Sequence, residues 1–408
     1  MNTRTSHGIR TRVILIPLFF WIVSLGAVRV LVVPPEDCGA VDAPAARNAA
    51  LRAMEWAARN QQPDGRYTYL YDAAADAPIA DYNIVRHAGV TMSMYQVVGR
   101  LNRADLLAAG DIGTAWMVDR LQRQDDWAAL ADTPRATLGS SALMLVALSE
   151  RRLATGETDY DEVMREVGHF LMAMQREDGG FYVAWQFDQN DFDRVGTSVY
   201  YPGEALWALA LLQEALPDTR ADDAARRAVD FITTQRDDVE GVRFPPLNDH
   251  WAAYGVAEMA EWQPGLTDAN IEYARRLAGR FSLFIRFEAQ KSDSAFQHSI
   301  RGDDRSSSAL GTWVEGQAAL WRLASTDERM ADLRNDIRDS ATCGAGILEQ
   351  RQAPDSAGPA EAGAWFIDDI TRMDDQQHAA SGLLYTADAL DGRPHREPDP
   401  PSATLSWR

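Results

Sequence analysis

Residues 175–181 read QREDGGF, closing one helical segment and opening a long aromatic loop. The first four residues of that stretch belong to a pattern, Gln-x-x-Asp, that recurs along the chain. It stands at Gln61 and Asp64, Gln122 and Asp125, Gln175 and Asp178, Gln235 and Asp238, Gln290 and Asp293, and Gln352 and Asp355. The intervals are 61, 53, 60, 55 and 62 residues. A near-constant period of this size marks a repeat architecture, with each repeat one supersecondary unit.

On either side of each mark the apolar periodicity is helical, and no convincing alternating strand is visible. The spacing predicts first helices near 45–60, 104–121, 160–174, 221–234, 268–289 and 328–350. It predicts second helices near 84–100, 136–152, 202–216, 250–262, 312–324 and 376–390. The first set carries charge on one face, as in ARNAALRAMEWAAR (46–59), the pattern of a helix half in water. The second set is apolar nearly all round, as in ATLGSSALMLVAL (136–148) and GEALWALALL (203–212), the pattern of a helix buried on every side. Six alternations of exposed and buried helix imply an all-α, (α/α)6 toroid over 45–392 with six outer and six inner helices. The connections within a pair are long and polar, so one end of the toroid carries the long loops, where sites tend to sit.

The stretch FLMAMQREDGGF (170–181) resembles the Gln-Trp repeats of squalene-cyclase-like and prenyltransferase-like toroids. It is equally similar to the six-hairpin glycosidases and sugar epimerases. The resemblance spans about Ala45 to Leu390 and implies architecture only, because the repeated Gln, Asp and Gly serve helix ends and turns.

Composition bounds the rest. A 46% hydrophobic chain with 12 Trp can bury a large core, and a net charge of −20 leaves no basic stripe for nucleic acid. The 2 cysteines, Cys38 and Cys343, are too few for a Cys-based zinc site, and a disulfide framework is not expected. No metal or other cofactor is expected. Residues 13–33 are apolar except for Ser24 and Arg29, with Arg4, Arg10 and Arg12 before them and Glu36 and Asp37 after. That polarity predicts a signal-anchor, with 1–12 cytoplasmic, 34–44 a linker and the body exported to the periplasmic or extracellular side. A cleaved signal peptide is the alternative. Residues 393–408 form a tail, and a monomer is expected.

If the rings close, the starts of the inner helices converge on one cavity. They bring Asn83, Arg86 and His87; Arg135; Tyr201 and Glu204; Asp249, His250 and Trp251; Trp313 and Glu315; and Asp375 and His378. Several also suit helix ends: Thr312 and Glu315 as a capping box, and Asp249 and Asp374 as N-caps. Capping does not call for His87, His250 or His378, and polar groups on apolar helices are costly unless they serve each other or a ligand. Trp127, Trp185, Trp251, Trp313 and Trp365 lie in loops or at helix starts and, with Tyr67, Tyr69, Tyr71 and Tyr82, suit stacking on sugar rings. Trp56, Trp116, Trp207, Trp262 and Trp321 read as core.

Three functions fit. A carbohydrate-acting enzyme, with a carbohydrate or other small molecule as substrate, would use Glu204, Asp249, Glu315 or Asp375 as carboxylates, with Glu204 and Asp249 the first pair. An epimerase or lyase would take His87, His250 or His378 as base and Arg86 as an anion clamp. The alternatives are a non-catalytic toroid that binds glycan or protein, and a terpenoid cyclase, for which FIDDITRMDD (366–375) lacks the Asp-x-Asp-Asp spacing. His87 and His378 are expected to be especially close.

Overall fold

The computed structural model describes residues 5–31, 33–242, 249–291, 295–302 and 305–394. A helix α1 (Thr5–Leu31) leads the chain. Then come six helical pairs: α2 (Ala43–Arg59) with α3 (Ile84–Leu101), α4 (Ala104–Val118) with α5 (Leu138–Thr155), and α6 (Asp161–Ala173) with α7 (Tyr201–Ala215). The fourth pair is α8 (Ala221–Thr234) with α10 (His250–Glu258), a short α9 (Arg236–Val239) lying between them. The fifth is α11 (Asp268–Ala289) with α13 (Ser307–Thr326), separated by a short α12 (Ala295–Arg301), and the sixth is α14 (Arg334–Arg351) with α15 (Met373–Leu390). The twelve expected helices are present.

The second helix of each pair is inner. They pack in the order α3, α5, α7, α10, α13, α15 and back to α3, so the ring closes. Their alanine- and leucine-rich sequences suit burial from all sides; in α15 every side chain from Met373 to Ala389 is buried. Each fully buried Leu contributes roughly 1.5–3 kcal/mol. Where α13 meets α15 the approach is close enough that a Cβ on Gly311 would fall 2.6 Å from the His378 carbonyl carbon, so glycine is needed there.

At three of the six marks the repeated glutamine ties one outer helix to the next. The Gln175 side-chain amide donates to Gly179 O (3.2 Å) in its own turn and to Ala224 O (2.9 Å) on α8. Gln61 does the same to Gly65 O (3.1 Å) and Ala109 O (3.0 Å), and Gln352 to Gly363 O (2.8 Å) and Ala49 O (2.7 Å). The last of these joins the sixth outer helix to the first. Each bond contributes on the order of 1 kcal/mol, and each glutamine joins a carbonyl of its own turn to one on the neighbouring outer helix. At the Gln290 mark, Asp293 lies outside the described residues.

Two features differ from the sequence reading. The long connections form strands. β1 (Leu70–Asp72) lies between β2 (Ala77–Ile79) and β8 (Ile370–Arg372) in an antiparallel sheet, pairing the first connection with the last. A second sheet runs β3 (Leu121–Gln124), β4 (Trp127–Asp132), β5 (Arg135–Thr137), β6 (Ala184–Gln186), β7 (Asp191–Phe192). Most are two to four residues long. So short a run cannot display the alternation that identifies a strand in sequence.

Cys38 and Cys343 are also joined in a disulfide, across a sequence separation of 305. The expected linker is therefore strapped to the outer ring. Asp37 N donates to Ala289 O (2.8 Å), Glu36 pairs with Arg286 (2.9 Å), and a Cβ on Gly346 would collide with Cys38 O. Two cysteines so far apart meet only because the ring returns the sixth pair to the first. Cys38→Ser should lower the stability of the folded chain by about 2–4 kcal/mol. Urea unfolding of the parent and variant should show the gap, and reductant should close it.

Within α1 the described side chains, 15–29, are all exposed and mostly apolar. Among the described residues no helix is long and apolar enough to cross a membrane. Side chains 13, 14 and 30–32 of the expected anchor, and residues 395–408 of the tail, lie outside the described set.

Candidate active site

A cleft of about 550 Å3 opens at the end of the ring where the inner helices begin. It is lined from α3 (Asn83, Arg86), α7 (Tyr201, Glu204), α10 (His250, Trp251), α13 (Ser308, Thr312, Trp313) and α15 (Asp374, His378), with Tyr200 and Arg372 at the rim. Five of the six expected helix starts thus converge. The sixth, that of α5, only backs the cleft, with Gly139 against Glu204 and Tyr201, while Arg135 sits in β5 and pairs with Asp193 at 3.0 Å.

The centre is His378, His250 and Glu315, all buried. His378 Nδ1 lies 2.7 Å from Glu315 Oε2, and its Nε2 lies 3.5 Å from Arg86 Nη1. Tyr254 OH donates to Glu315 Oε1 (3.2 Å), which fixes the carboxyl that in turn fixes the His378 ring. The His250 ring sits edge-on to His378 with centroids 5.0 Å apart, and its Nε2 is 3.7 Å from Glu315 Oε2. Neither nitrogen of His250 has a hydrogen-bond partner. A buried, unpartnered imidazole is costly unless something it binds completes it. Burial pushes both imidazoles well below their usual range, and the Arg86 guanidinium adds to the fall. The Glu315 carboxyl is pushed well up by burial. The site is therefore neutral at its centre, with Arg86, Arg372 and the Asp374 they both approach at its edge.

Glu204 is another cleft group without a full set of partners: its Oε2, like Asp374 Oδ1, is buried and unbonded. Burial pushes its carboxyl up to about 8; Arg86 opposes the rise and Asp249 adds to it. Between about pH 4.5 and 8 the folded chain holds this proton while the unfolded chain has lost it. Glu204 thus lowers stability progressively as pH rises through that window. Glu204→Gln, neutral at every pH, should be more stable than the parent at pH 7 by on the order of 2–3 kcal/mol and equal to it near pH 4. Thermal unfolding of both proteins across pH 4–9 checks this. Parallel curves would refute it.

Other expected residues have structural roles. Asp249 is the N-cap of α10, accepting from Ala252 N (2.9 Å), and its second oxygen takes a hydrogen bond from the fully buried Arg236. Asp375 accepts from Arg372 N (3.0 Å) and Ser308 N (3.0 Å), so it ties the start of α15 to α13. His87 faces away from His378: its Nδ1 meets Tyr82 OH, its Nε2 meets Gly113 O (2.9 Å), and its ring stacks on Trp116. The expected closeness to His378 belongs instead to Arg86, because successive residues of a helix point about 100° apart. Asn83 caps α3 through Val85 N (3.0 Å) while bordering the cleft.

The expected capping box at Thr312 and Glu315 is not one. α13 starts at Ser307 with Ser306 as its N-cap, which puts Glu315 more than two turns inside. Asp374 is not an N-cap either; it pairs with Arg372 at 3.1 Å. Arg372 and Ser308 escaped the sequence reading, although a lone arginine just before MDD at an inner-helix start was a usable hint. Of the five tryptophans expected in loops or at helix starts, Trp251 and Trp313 line the cleft, while Trp127 and Trp365 are core.

No protein-family model and no curated protein matches this sequence. Solved structures do. Cellobiose 2-epimerase from Spirochaeta thermophila superposes with a TM-score of 0.62 at 14% identity, over 86% of this chain and 96% of that one. The α-1,6-mannanase of Salegentibacter gives 0.58 at 11%, over 84% and 99%. A type II terpene cyclase from Scytonema gives 0.52 at 12%, over 85% and 98%. The chain is an α/α toroid. Neighbours of such low identity carry the fold alone, and the toroid hosts unrelated chemistries.

Proposed function

We propose that this toroid moves a proton at the carbon next to the carbonyl of an aldose or of the reducing end of a small oligosaccharide, as an isomerase or 2-epimerase. The observation that carries this reading is the pair His250 and His378. One imidazole is unpartnered and the other is held by Glu315, and both face a cleft that has Arg86 at its edge. One imidazole takes the C2 proton, Arg86 stabilises the charge that develops on the carbonyl oxygen, and an imidazole returns the proton to C2 for epimerisation or to C1 for isomerisation. A buried carboxyl that stays neutral, Glu204, donates a hydrogen bond to a sugar oxygen. Trp251 and Trp313 supply apolar faces for the ring. Solved neighbours described as cellobiose 2-epimerase and D-mannose isomerase share the fold on which this reading is built.

Glycoside hydrolysis is less well served. It needs two carboxyl groups facing the substrate. Asp249 is committed to Arg236 and to its own helix, and Asp375 to two backbone amides. Among the described carboxylates that leaves Glu204 and the ion-paired Asp374 on the cleft.

The test is proton NMR of an aldose and disaccharide panel in D2O. Deuterium entering C2, with a new epimer or ketose, supports the reading. Release of a new reducing end without C2 exchange would replace it with hydrolysis, and thermal stabilisation without turnover with a binding protein.

We also propose that the chain is a monomer anchored by residues 13–33 with the toroid exported. The apolar run 13–33, the arginines before it and a disulfide, which persists in oxidising compartments, favour the anchor and the export. A reporter fused after Arg408 should be active only outside the cytoplasm. A mature N-terminus near residue 40 would mean a cleaved signal.

A further inference from the structure

We propose that His250, Glu315 and His378 also form a binding site for one divalent transition-metal ion of the zinc type, and that its occupancy shuts off proton transfer at the cleft. The inhibition rests on the reading above, whereas the binding does not.

Three ligand-type atoms, one from each residue, lie within 4.8 Å of one another, and all three side chains are buried. Glu315 Oε2 is 2.7 Å from His378 Nδ1 and 3.7 Å from His250 Nε2. Ligand atoms around a tetrahedral zinc, each about 2.0–2.2 Å from the metal, stand roughly 3.3 Å apart. The cluster therefore needs only side-chain adjustment to close on an ion. The unpartnered His250 nitrogens point to a missing ligand in their own right. Two imidazoles and one carboxylate select zinc, cobalt or nickel over magnesium or calcium, which prefer oxygen. The fourth position faces the cleft, so water or a sugar oxygen completes the set.

Binding is balanced by proton release. The ion replaces the proton shared by Glu315 and His378, and that proton leaves to solvent. With the His250 and His378 lone pairs on the metal, neither ring can accept a substrate proton. Arg86, 3.5 Å from the other nitrogen of His378, does not compete for Nδ1, but its charge opposes a cation. Arg86 therefore keeps the site weak enough to be reversible.

The experiment uses the full chain in detergent, dialysed against Zn2+ with the bound metal counted. One equivalent should bind and be removed by chelator, and Mg2+ should not compete. His250→Gln, His378→Gln and Glu315→Gln should each weaken binding about tenfold or more. Arg86→Met should strengthen it. No bound zinc, or zinc held equally well by both histidine variants, overturns the proposal; the second result would assign it to other histidines, such as the half-buried His169 and the exposed His298. If a variant loses helicity, Co2+ added to the parent protein decides. A tetrahedral visible spectrum supports the site, and its absence overturns it. Where C2 exchange is observed, zinc should suppress it and chelator restore it. Zinc binding in a protein without C2 exchange would sink the function reading and leave the metal site standing.

Discussion

His250→Asn and His378→Asn should each lose about 10²- to 10⁴-fold in C2 deuterium exchange while keeping the helical fold, the range expected for removing a positioned acid or base. Asparagine is smaller than the imidazole but keeps an amide near the Nδ1 position, and it cannot carry the proton. The two variants should differ in stability. His250 has no hydrogen bond to lose, whereas His378 leaves Glu315 without its partner. Removing that partner from a buried carboxyl costs about 1–3 kcal/mol. Glu315→Gln tests a positioning role apart from a chemical one: kcat should fall while KM holds, because Glu315 touches His378 and not the cleft. Exchange that survives in either histidine variant at the parent's rate would remove that residue from the mechanism.

Asp249→Asn should cost about 3–5 kcal/mol of stability, the largest loss expected from any single polar change here. Its partner Arg236 is fully buried, donating through Nη1 to Asp249 and through Nη2 to Tyr273 OH (2.7 Å). Removing the carboxylate leaves the buried cation with the half-exposed Asp237, 3.8 Å from its Nε, as its ion-pair partner, which costs far more than the pair itself contributes. The double variant Asp249→Asn with Arg236→Met should recover much of the loss, because it removes both charges together. Urea midpoints of the three proteins measure it. The exchange rate per folded molecule should stay within a few-fold of the parent. Asp249 is one of the carboxylate pair expected from the sequence, and a specific loss of turnover with unchanged stability would restore it to that role.

Read from the chain alone, the architecture is legible because helix periodicity and burial pattern are local properties. An all-round apolar stretch such as GEALWALALL must be buried wherever the chain puts it, and the Gln-x-x-Asp period counts the hairpins. That the inner-helix starts gather Arg86, Glu204, His250 and His378 follows from the same counting. What each of these side chains does depends on rotation about a helix axis and on partners hundreds of residues away. His87 and Arg86 are adjacent in sequence, yet one stacks on Trp116 and the other reaches His378. Asp249 looked like an acid until the fold buried Arg236 against it. Glu315 looked like a cap until α13 proved to start at Ser307. The joining of Cys38 to Cys343, and of β1 to β8, needed the closed ring. Local pattern determined which helices this chain makes and how many. Only tertiary packing decided which polar groups satisfy one another and which, like His250, are left facing the cleft.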